Sequence, residues 1–578
     1  MGIARDIKHF QLLRYSVPMQ KLKDFLSEKF TGVEFELIAP PDLGLGDYAT
    51  NIAFALGKKE GVSPPEAAEK VAKALEDLDI VEKTSVAGAG FVNIFLKNEF
   101  LQGELEVISA DSNYGTNGLY KGKRVMVEYT DPNPFKQFHI GHLMTNVIGE
   151  SIARLFEASG AEVLRVNYQG DVGVHVASSV WGMMKMSGEL PSEDMHTAEK
   201  MAFLGRTYTL GAKAYKEDPL AKEEIDAINK KIYERGDAEI DEMYDRGREW
   251  SLDYFEIMYA RLGTKFNHYF FESEVGPDGL EIVKTHPDVF TESQGAVIFP
   301  GEQYGLHNRV FINSLGLPTY EAKELGLNKR KFKEYNPDLS LIITANEINE
   351  YFRVLLKAME LAVPEAAQKT KHIGHGMLRL PTGKMSSRTG DVITAESLID
   401  KVRGLVAEKV REREGLTGVE KEEIQESVAL AAIRYSILKQ GIGKDIIFDF
   451  EKSIAFSGDS GPYLQYTYAR LENILKQAVE NESGDVSLLN TPEERAIMRH
   501  LLDFPVVISR AAETISPNGV ALYLFELCDK VNRFYEEVRV LDDEDKNRRG
   551  ARLVLVKSSM QVLRRGLETL GIKALQRI

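Results

Sequence analysis

The spacing of hydrophobic and polar positions divides the chain into a mixed N-terminal part, a central part and a helical C-terminal part. At the N-terminus, helical patterns (MQKLKDFLSEKF, 19–30; SPPEAAEKVAKALEDL, 63–78) alternate with short strand patterns (FELIAP, 35–40; FVNIFL, 91–96). These patterns predict a small α/β domain. The polar, glycine-rich DSNYGTNGLYKGK (111–123) that follows predicts a linker.

The central part begins with a predicted parallel crossover unit. RVMVEYT (124–130) has a strand pattern, a loop and an amphipathic helix follow, and AEVLRVNYQGD (161–171) supplies a second strand. Gly160 is well placed to end the helix. The apolar stripe of this helix comprises Leu143, Val147, Ile148, Ile152, Leu155 and Phe156.

Further along, residues 185–262 form a long, charged helical region without a strand pattern, and strand patterns return at GAVIFP (295–300) and LSLIITA (339–345). From about Glu422 onward the pattern is almost wholly helical and predicts a helix bundle.

The predicted fold class is therefore α/β: a Rossmann-like parallel-sheet domain with an insertion, a small α/β N-terminal domain and an all-α C-terminal bundle. We expect domain boundaries of 1–112, 113–421 and 422–578, with the helical insertion at about 185–262.

Composition narrows the class of protein. Of the 578 residues, 43% are hydrophobic and 28% are charged, which is typical of a soluble globular protein. No apolar run approaches the ~20 residues of a membrane span, and the charged N-terminus does not resemble a secretory signal. The single cysteine, Cys528, excludes an internal disulfide and a cysteine-rich zinc site. We expect a cytoplasmic protein that does not bind membranes.

Charge is uneven along the chain. The 72 basic and 88 acidic residues give a net charge of −16, which disfavours wholesale wrapping of nucleic acid. From Lys546 to Ile578, however, nine Lys and Arg residues accompany one acid, Glu568. This segment is either a local phosphate-contacting face or a solvated helix face.

The tetrapeptide His-Ile-Gly-His occurs twice, in FHIGHLM (138–144) and KHIGHGM (371–377). The first copy follows a predicted strand and begins a helix, where free amides favour phosphate groups. The second copy has the pattern of a strand or loop. We therefore assign the chemistry to the first copy: Gly141 would let a nucleotide approach the backbone, and His139 and His142 would donate hydrogen bonds to phosphate oxygens.

A second motif, KMSSR (384–388), follows about 240 residues later. Together the two motifs resemble the signatures of class I aminoacyl-tRNA synthetases, His-Ile-Gly-His and Lys-Met-Ser-Lys-Ser. Both belong to a nucleotide-binding sheet that is interrupted by an insertion, which the helical segment 185–262 would match.

Further segments of the chain resemble one family within this class, the arginyl-tRNA synthetases. VEYTDPNPFKQFHIGH contains that family's spacing from Val-Glu through Pro-Asn and Lys to the histidine signature, and NYQGDVG (167–173) resembles its Asn-x-x-Gly-Asp-x-Gly element. GDYATNIAFALGKK (46–59) and GAGFVNIFL (88–96) resemble the family's N-terminal tRNA-elbow domain. SGPYLQYTYARLENIL and VNRFYEEVRVL resemble its helical anticodon-binding domain, so the similarity covers essentially the whole chain.

The resemblance implies an arginine–tRNA ligase that forms arginyl-adenylate from L-arginine and ATP, releases pyrophosphate and transfers arginine to tRNA(Arg). ATP with Mg²⁺ would enter as substrate, without a permanently bound cofactor, and the protein would be a monomer. The implied catalytic residues are Lys136, His139, His142 and Lys384. The implied ATP-binding residues are His139, Gly141, His142, Lys384, Met385 and Ser386.

The same resemblance implies an arginine site of Glu128, Asn133, His142, Tyr320 and Glu324. Carboxylates are suited to this substrate because they accept paired hydrogen bonds from the planar guanidinium group. Glu324 replaces the aspartate of the family's Tyr-x-x-x-Asp-x-Gly. An expected glutamine is also absent, with Asn346 and Glu347 nearby.

Ser387 replaces the second lysine of Lys-Met-Ser-Lys. Arg388 follows it, and Lys136, just before the histidine signature, is the expected compensating cation by resemblance to the family.

Aromatic and basic side chains of the C-terminal region are candidates for binding single-stranded RNA, although most helical aromatics pack in cores. Tyr463 and Tyr466 share a helix face with Arg470, and Asn51 is the candidate in the N-terminal domain.

Three other classes of protein could carry similar motifs. Another class I synthetase would not need Glu128 and Glu324 around its amino acid. A small nucleotidyltransferase would not need the helical C-terminal region. A synthetase-like RNA-binding protein without activity is disfavoured by the intact His139, His142 and Lys384.

Overall fold

The computed structural model describes residues 16–38, 40, 43–379, 394–411, 417–478 and 484–578. The N-terminal part is an antiparallel sheet with strand order β1-β2-β4-β3 and four helices, which confirms the predicted mixed α/β unit. Its elements are α1 (Val17–Lys29), β1 (Leu37–Ile38), β2 (Tyr48–Thr50), α2 (Ile52–Glu60), α3 (Pro64–Leu75), β3 (Val81–Ala87), β4 (Phe91–Leu96) and α4 (Asn98–Ala110).

The central part contains a five-stranded parallel sheet and a smaller antiparallel sheet. Its strands are β5 (Arg124–Glu128), β6 (Glu162–Gln169), β7 (His268–Phe271), β8 (Thr291–Ser293), β9 (Ala296–Phe299), β10 (Arg309–Ile312), β11 (Leu339–Ala345), β12 (Thr370–His375) and β13 (Leu378–Arg379). The parallel sheet has the order β12-β11-β5-β6-β7, and β10-β9-β8 form the antiparallel sheet. The predicted strand GAVIFP (295–300) thus belongs to the small sheet, and β7 was not predicted.

The strand order of the parallel sheet reverses between β5 and β11, since β6 and β7 extend from one side of β5 and β12 extends from the far side of β11. In open α/β sheets, ligands bind beyond the carboxyl ends of the strands at such a switch point. Residues that follow Glu128, the last residue of β5, therefore lie where a ligand is expected.

The helices of this part are α5 (Ile140–Ala158), α6 (Val174–Lys185), α7 (Thr197–Glu217), α8 (Pro219–Glu234), α9 (Ala238–Arg261), α10 (Glu272–Thr285), α11 (Tyr320–Tyr335), α12 (Asn349–Ala362), α13 (Pro364–Lys369) and α14 (Ala395–Val410). Helices α7–α9 make up the predicted insertion. Asp171, at the end of β6, holds the insertion in place: its fully buried carboxylate accepts hydrogen bonds from Arg248 Nε at 3.1 Å and from Ser273 Oγ at 2.8 Å.

Helix α5 is buried on its polar as well as its apolar side. The predicted stripe is buried, and Gly160 (φ +88°) ends the helix as expected. Asn146, Glu150 and Ser151 are buried too: Ser151 Oγ donates to the Thr569 carbonyl of the C-terminal bundle, whereas Asn146 and Glu150 are held by neighbours within the central part. Glu150 is neutralised there by Arg165 Nε at 3.0 Å and Arg154 Nε at 2.7 Å.

The C-terminal part is a helix bundle, as predicted. It comprises α15 (Gly418–Leu438), β14 (Ile446–Ile447), α16 (Phe450–Ser453), α17 (Gly461–Gln477), α18 (Pro492–Leu501), α19 (Phe504–Glu513), α20 (Asn518–Glu537) and α21 (Lys546–Thr569). The N-terminal domain packs on it through buried Asp47, whose Oδ2 accepts from Leu96 N at 2.7 Å and from Arg495 Nη2 at 2.5 Å. Among the described residues, no helix combines the length and apolarity needed to cross a membrane.

Candidate active site

Two histidines cap the N-terminus of α5 reciprocally. His139 Nδ1 accepts hydrogen bonds from the amides of Gly141 at 3.0 Å and His142 at 3.4 Å, and His142 Nδ1 accepts from the His139 amide at 3.2 Å. The two rings stack with centroids 3.6 Å apart. Because both Nδ1 atoms accept, this hydrogen-bond pattern assigns the ring proton of each neutral histidine to Nε2.

Both histidines are neutral at physiological pH. Burial, aided by the Lys136 charge, lowers the pKa of His139 to about 4. Burial and the neighbouring His139 hold the pKa of His142 well below its usual value. The helix N-terminus therefore presents two neutral N–H donors beside its positive dipole end, an arrangement that suits phosphate oxygens.

Gly141 is required by the packing of this pair. A Cβ at position 141 would lie 2.8 Å from Cε1 and 2.9 Å from Nδ1 of the His139 ring. Any side chain would therefore displace the ring from its capping position. This is a second reason for glycine here, beside the close approach of a nucleotide expected from the sequence.

The loop between β5 and α5 is held in an unfavourable backbone conformation. Thr130, Asp131 and Phe135 all have positive φ angles, of 82°, 45° and 68°. Fixed contacts compensate: Thr130 Oγ1 accepts from Asn146 Nδ2 at 3.0 Å, and Asp131 Oδ1 accepts from Tyr168 N at 2.8 Å. Strained residues persist only where the surroundings over-determine them, which is common at active sites.

Beside this loop lies a cluster of four acidic side chains, Glu128, Asp131, Glu272 and Glu324. Internal lysines from α11 pair with two of the acids: Lys331 forms a fully buried ion pair with Glu128, and Lys323 Nζ lies 2.6 Å from Glu272 Oε2. Glu324 differs from Glu128 and Glu272 because, among the described residues, it forms no ion pair, and its buried Oε2 has no hydrogen-bond partner there. An unsatisfied buried carboxylate oxygen is costly, so the position is one that a ligand would stabilise.

The two acids of the cluster without an ion pair have raised pKa values. Burial first, and the Glu128 charge second, raise the pKa of Glu324 to about 8. The same two causes raise the pKa of Asp131 well above its usual value. Since these groups act on one another's pKa, Glu128 and Glu324 lie in one cluster, as the sequence predicted. A cation placed among them would favour the ionised forms.

Asn133 and Glu272 converge on Gly170, which belongs to the NYQGDVG element. A Cβ at Gly170 would overlap Asn133 Oδ1 and lie 3.0 Å from Glu272 Oε1. The carbonyl of Gly170 accepts from His175 Nε2 at 2.9 Å, which anchors the turn. Gly170 thus leaves room for two polar side chains at the carboxyl edge of the sheet.

Lys136 lies between the histidine pair and the acidic cluster. Its Nζ is 5.0 Å from the centre of the Tyr208 ring, which the insertion contributes, and burial lowers its pKa. Its charge acts both on the histidines and on Glu272. Lys136 therefore links the histidine pair electrostatically to the acidic cluster.

The other predicted site residues are placed as follows. Tyr320 begins α11 with its side chain partly exposed, and its ring centre is 5.2 Å from Lys323 Nζ. Asn133 is part of the strained loop. Lys384, Met385 and Ser386, together with Ser387 and Arg388, lie outside the described residues.

Sequence reasoning missed Glu272, Lys323 and Lys331. Glu272 had a usable signal, since it directly follows the apolar HYFF of β7 at the carboxyl end of a parallel strand. The lysines had none, because they lie in the charged run KELGLNKRKFKEY, which has the composition of an exposed helix. Only the packing of α11 against the sheet buries them.

The second His-Ile-Gly-His forms β12 and ends beside the first. His375 Nε2 and Thr145 Oγ1 of α5 are 2.9 Å apart, and the His372 ring stacks on Phe352 with centroids 3.9 Å apart. The expectation that this copy begins no helix is confirmed.

The candidate RNA-binding side chains of the bundle form a partly exposed group. The Arg470 guanidinium is 4.9 Å from the Tyr466 ring centre and 4.6 Å from that of Tyr535. Tyr463 is tied to this group because its hydroxyl accepts from Asn532 Nδ2 at 2.8 Å.

Two other candidates for RNA contact are already engaged within the protein. Asn51 Oδ1 accepts from Glu36 N at 2.8 Å. In the basic C-terminal segment, at least five of the nine cations pair with acids, which weakens the expected phosphate-contacting face. These five are Arg548, Arg552, Arg564, Arg565 and Lys573.

A parallel sheet of this order, with a histidine pair capping the helix after its first strand, defines a class I aminoacyl-tRNA synthetase. Residues 105–450 match the family model described as tRNA synthetases class I (R), catalytic domain. Residues 19–96 match the arginyl tRNA synthetase N-terminal domain, and residues 464–578 match the DALR anticodon-binding domain. The chain belongs to the arginyl-tRNA synthetase family.

Named relatives and solved structures support this family assignment. The chain is 30% identical to the arginine–tRNA ligase of Clostridium acetobutylicum over 93% of this chain and 95% of the relative. It is also 30% identical to that of Treponema pallidum, over 95% and 96%. The arginyl-tRNA synthetase structure of Thermus thermophilus superposes with a TM-score of 0.79 at 25% identity, covering 97% of this chain and 99% of that one. The Plasmodium falciparum structure gives 0.78 at 20%, with 97% and 98% covered, and shows the same fold.

Replacing Gly170 by alanine tests the convergence of Asn133 and Glu272. The added methyl group overlaps Asn133 Oδ1, so we expect kcat/KM for arginine to fall at least tenfold, a loss of about 1.4 kcal/mol, while the thermal unfolding midpoint changes little. Steady-state kinetics and thermal melts measure the two effects. Gly103→Ala, whose Cβ meets no atom within 4 Å, is the matched control. Equal kinetics for both variants would contradict the arrangement.

Proposed function

We propose that this protein activates L-arginine with ATP and transfers it to tRNA(Arg). In the first step an arginine carboxylate oxygen attacks the α-phosphorus of ATP, and pyrophosphate leaves. In the second step a terminal ribose hydroxyl of the tRNA attacks the arginyl carbonyl, AMP leaves, and the hydroxyl proton is lost to solvent. No protein nucleophile is needed, so the site acts by positioning and by stabilising charge.

One observation supports the choice of arginine more than any other: the buried, unpartnered carboxylate of Glu324. Glu128 and Glu272 are already neutralised by Lys331 and Lys323. A guanidinium group that enters the cluster would satisfy Glu324 with paired hydrogen bonds and hold it ionised.

The remaining acids and their lysines frame this position. We propose that Glu272, next to Glu324, shares the guanidinium, and that Glu128 acts mainly by positioning α11 through Lys331. Tyr320, in the first turn of α11, and Asn133, beside Gly170, complete the amino-acid site.

At the other end of the site we assign the α-phosphate to the histidine pair. Neutral His139 and His142 donate from Nε2 to oxygens on which charge builds in the transition state. Lys136 supplies a positive charge between phosphate and acids, and we propose that Lys384, Met385 and Ser386 serve the ATP phosphates from outside the described residues. Mg²⁺ would enter with ATP, bound chiefly by its phosphates.

We further propose that Arg470, which lies between the rings of Tyr466 and Tyr535, forms a stacking surface for anticodon bases together with Tyr463 and Tyr466. Asn51 remains the candidate in the N-terminal domain and would have to bind RNA through its Nδ2. The three functional domains are proposed to be 1–112, 113–421 and 422–578, in a monomer located in the cytoplasm.

The decisive experiment is arginine-dependent AMP release by Glu324→Gln in the presence of tRNA(Arg). Gln keeps the size of the side chain but removes the acceptor charge. Losing one charge-assisted bond costs about 1.5–3 kcal/mol, so we expect kcat/KM for arginine to fall roughly tenfold to over a hundredfold. The KM for ATP should change little. Glu334→Gln, on the exposed side of the same helix, is the control; equal activity of both variants would reject Glu324 as the arginine ligand.

The raised pKa of Glu324 predicts a pH dependence of arginine binding. With a pKa of about 8, Glu324 in the empty site is mostly protonated at pH 7. Arginine binds the ionised carboxylate, so the proton of Glu324 must be released on binding. The KM for arginine should therefore fall as pH rises from 6.5 through 8 and level off at about pH 9, one unit above that pKa. Steady-state kinetics over this range test the prediction, and the dependence should disappear in Glu324→Gln.

Lys136→Ala tests the phosphate side. Removing this charge should lower the turnover of adenylate formation by one to two orders of magnitude, because the developing phosphate charge loses its cation, while KM for arginine changes less than threefold. Pyrophosphate exchange, measured with tRNA present, separates the two parameters. Lys121→Ala, at an exposed position in the preceding linker, is the control. Equal losses in turnover and in arginine affinity would count against the phosphate role.

A further inference from the structure

A second group of cations lies away from the active site, in a cleft between the catalytic part and the C-terminal bundle. The cleft has a volume of about 670 Å³ and is bounded by the end of α9 and by α15, α17 and the segment after α21. Its charged lining residues are Arg154, Arg261, Arg434, Arg564, Lys573, Glu426 and Glu568. Five cations and two acids line the cleft, and four of the cations have a carboxylate partner: Arg154 with Glu150, Arg261 with Glu426, Arg564 with Glu568 and Lys573 with Glu423.

Arg434 is the unusual member of this group. Three arginines are buried in the described part of the chain, and two of them have carboxylate partners: Arg499 pairs with Asp503 at 2.7 Å, and Arg552 with Glu494 at 2.7 Å. Among the described residues, no carboxylate lies within ion-pairing distance of Arg434; its hydrogen bond goes to the backbone carbonyl of Leu262. A buried cation without an anion is costly.

The rest of the Arg434 guanidinium is available to the cleft. No nitrogen of the Arg434 side chain is both inaccessible to solvent and without a hydrogen-bond partner, and the side chain lines the cleft wall. At Gly571 two guanidinium groups converge: a Cβ there would lie 3.3 Å from Arg434 Nη1 and 3.9 Å from Arg154 Nε. Arg154 is itself shared between Glu150 Oε1 at 2.7 Å and the Glu568 carbonyl at 3.1 Å.

The acids of the cleft do not balance Arg434. Glu426 is held by Arg261 Nε at 2.8 Å. Glu568 interacts with Arg565 Nη1 at 3.4 Å and more weakly with Arg564. A net positive charge therefore remains where the guanidinium groups of Arg434 and Arg154 approach each other.

We propose that this cleft binds a phosphate-type oxyanion between Arg434 and Arg154. A tetrahedral oxyanion would accept the remaining donors of the Arg434 fork and separate two like charges. The anion has two possible sources, free phosphate or pyrophosphate and a phosphodiester group of bound tRNA. Because helix positions two apart point about 200° apart, the cleft residue Tyr468 faces away from Tyr466 of the proposed anticodon surface, which favours the free anion.

The first arm of the test titrates sodium phosphate, rather than the pyrophosphate that the proposed active site itself releases, at constant ionic strength set with sodium chloride, while thermal unfolding is followed. We expect a saturable rise in the unfolding midpoint of the wild-type protein, and its loss in Arg434→Met. Arg353→Met, which removes a surface arginine paired with Glu350, should behave as wild type. A rise that appears equally in all three proteins identifies another phosphate site and overturns the proposal.

The second arm measures tRNA affinity against salt concentration. If the anion is a tRNA phosphodiester, Arg434→Met weakens binding several-fold and lowers the slope of log K against log salt by about 1. If the variant fails to fold, Arg434→Lys keeps the charge without the fork, and its phosphate affinity should still be lower than that of the wild type. Absence of a saturable phosphate effect in the wild type, together with an unchanged salt slope, would refute the site.

Discussion

The site depends on the neutralisation of acidic side chains that are buried side by side at the carboxyl edge of the parallel sheet. Glu128, Asp131, Glu272 and Glu324 could not all ionise in that environment without cations. Helix α11 supplies lysines for Glu272 and Glu128, so that among the described residues Asp131 and Glu324 have no cationic partner. One helix therefore stabilises half of the cluster and leaves the other half short of positive charge, which a cationic substrate would supply.

The same helix sets the surroundings of Glu324, the residue at which the sequence departs from the aspartate that the resemblance implies. Glu324 is buried by the packing of α11 against the sheet, and its side chain interacts with the charge of Glu128 at the end of β5. Lys331, two turns later on α11, holds Glu128 in place. An internal ion pair, rather than a substrate, therefore positions the acid beside Glu324.

The phosphate side follows a different physical logic. Here burial removes charge from His139 and His142, and reciprocal capping fixes which nitrogen of each ring donates. The strained loop that precedes them is anchored by buried hydrogen bonds, and the insertion contributes Tyr208 beside Lys136. Neutral donors and one lysine suit the phosphates, whereas excess acid suits the amino acid. In the proposed arrangement, charge would therefore keep ATP and arginine in separate halves of the site.

The sequence alone determined the three-part architecture, the choice between the two His-Ile-Gly-His copies and the family, because these rest on local periodicity and on motifs with fixed spacing. It also indicated Glu128 and Glu324 as neighbours. Only the tertiary structure decided which acids lack a lysine partner. The packing of α11 buries Lys323 and Lys331, although their sequence segment has the composition of an exposed helix. Strand β7 and Glu272 were missed because a four-residue strand after a long helical insertion carries too little pattern. The burial of Ser151 on α5 depends on Thr569, more than 400 residues later, which no local pattern reveals.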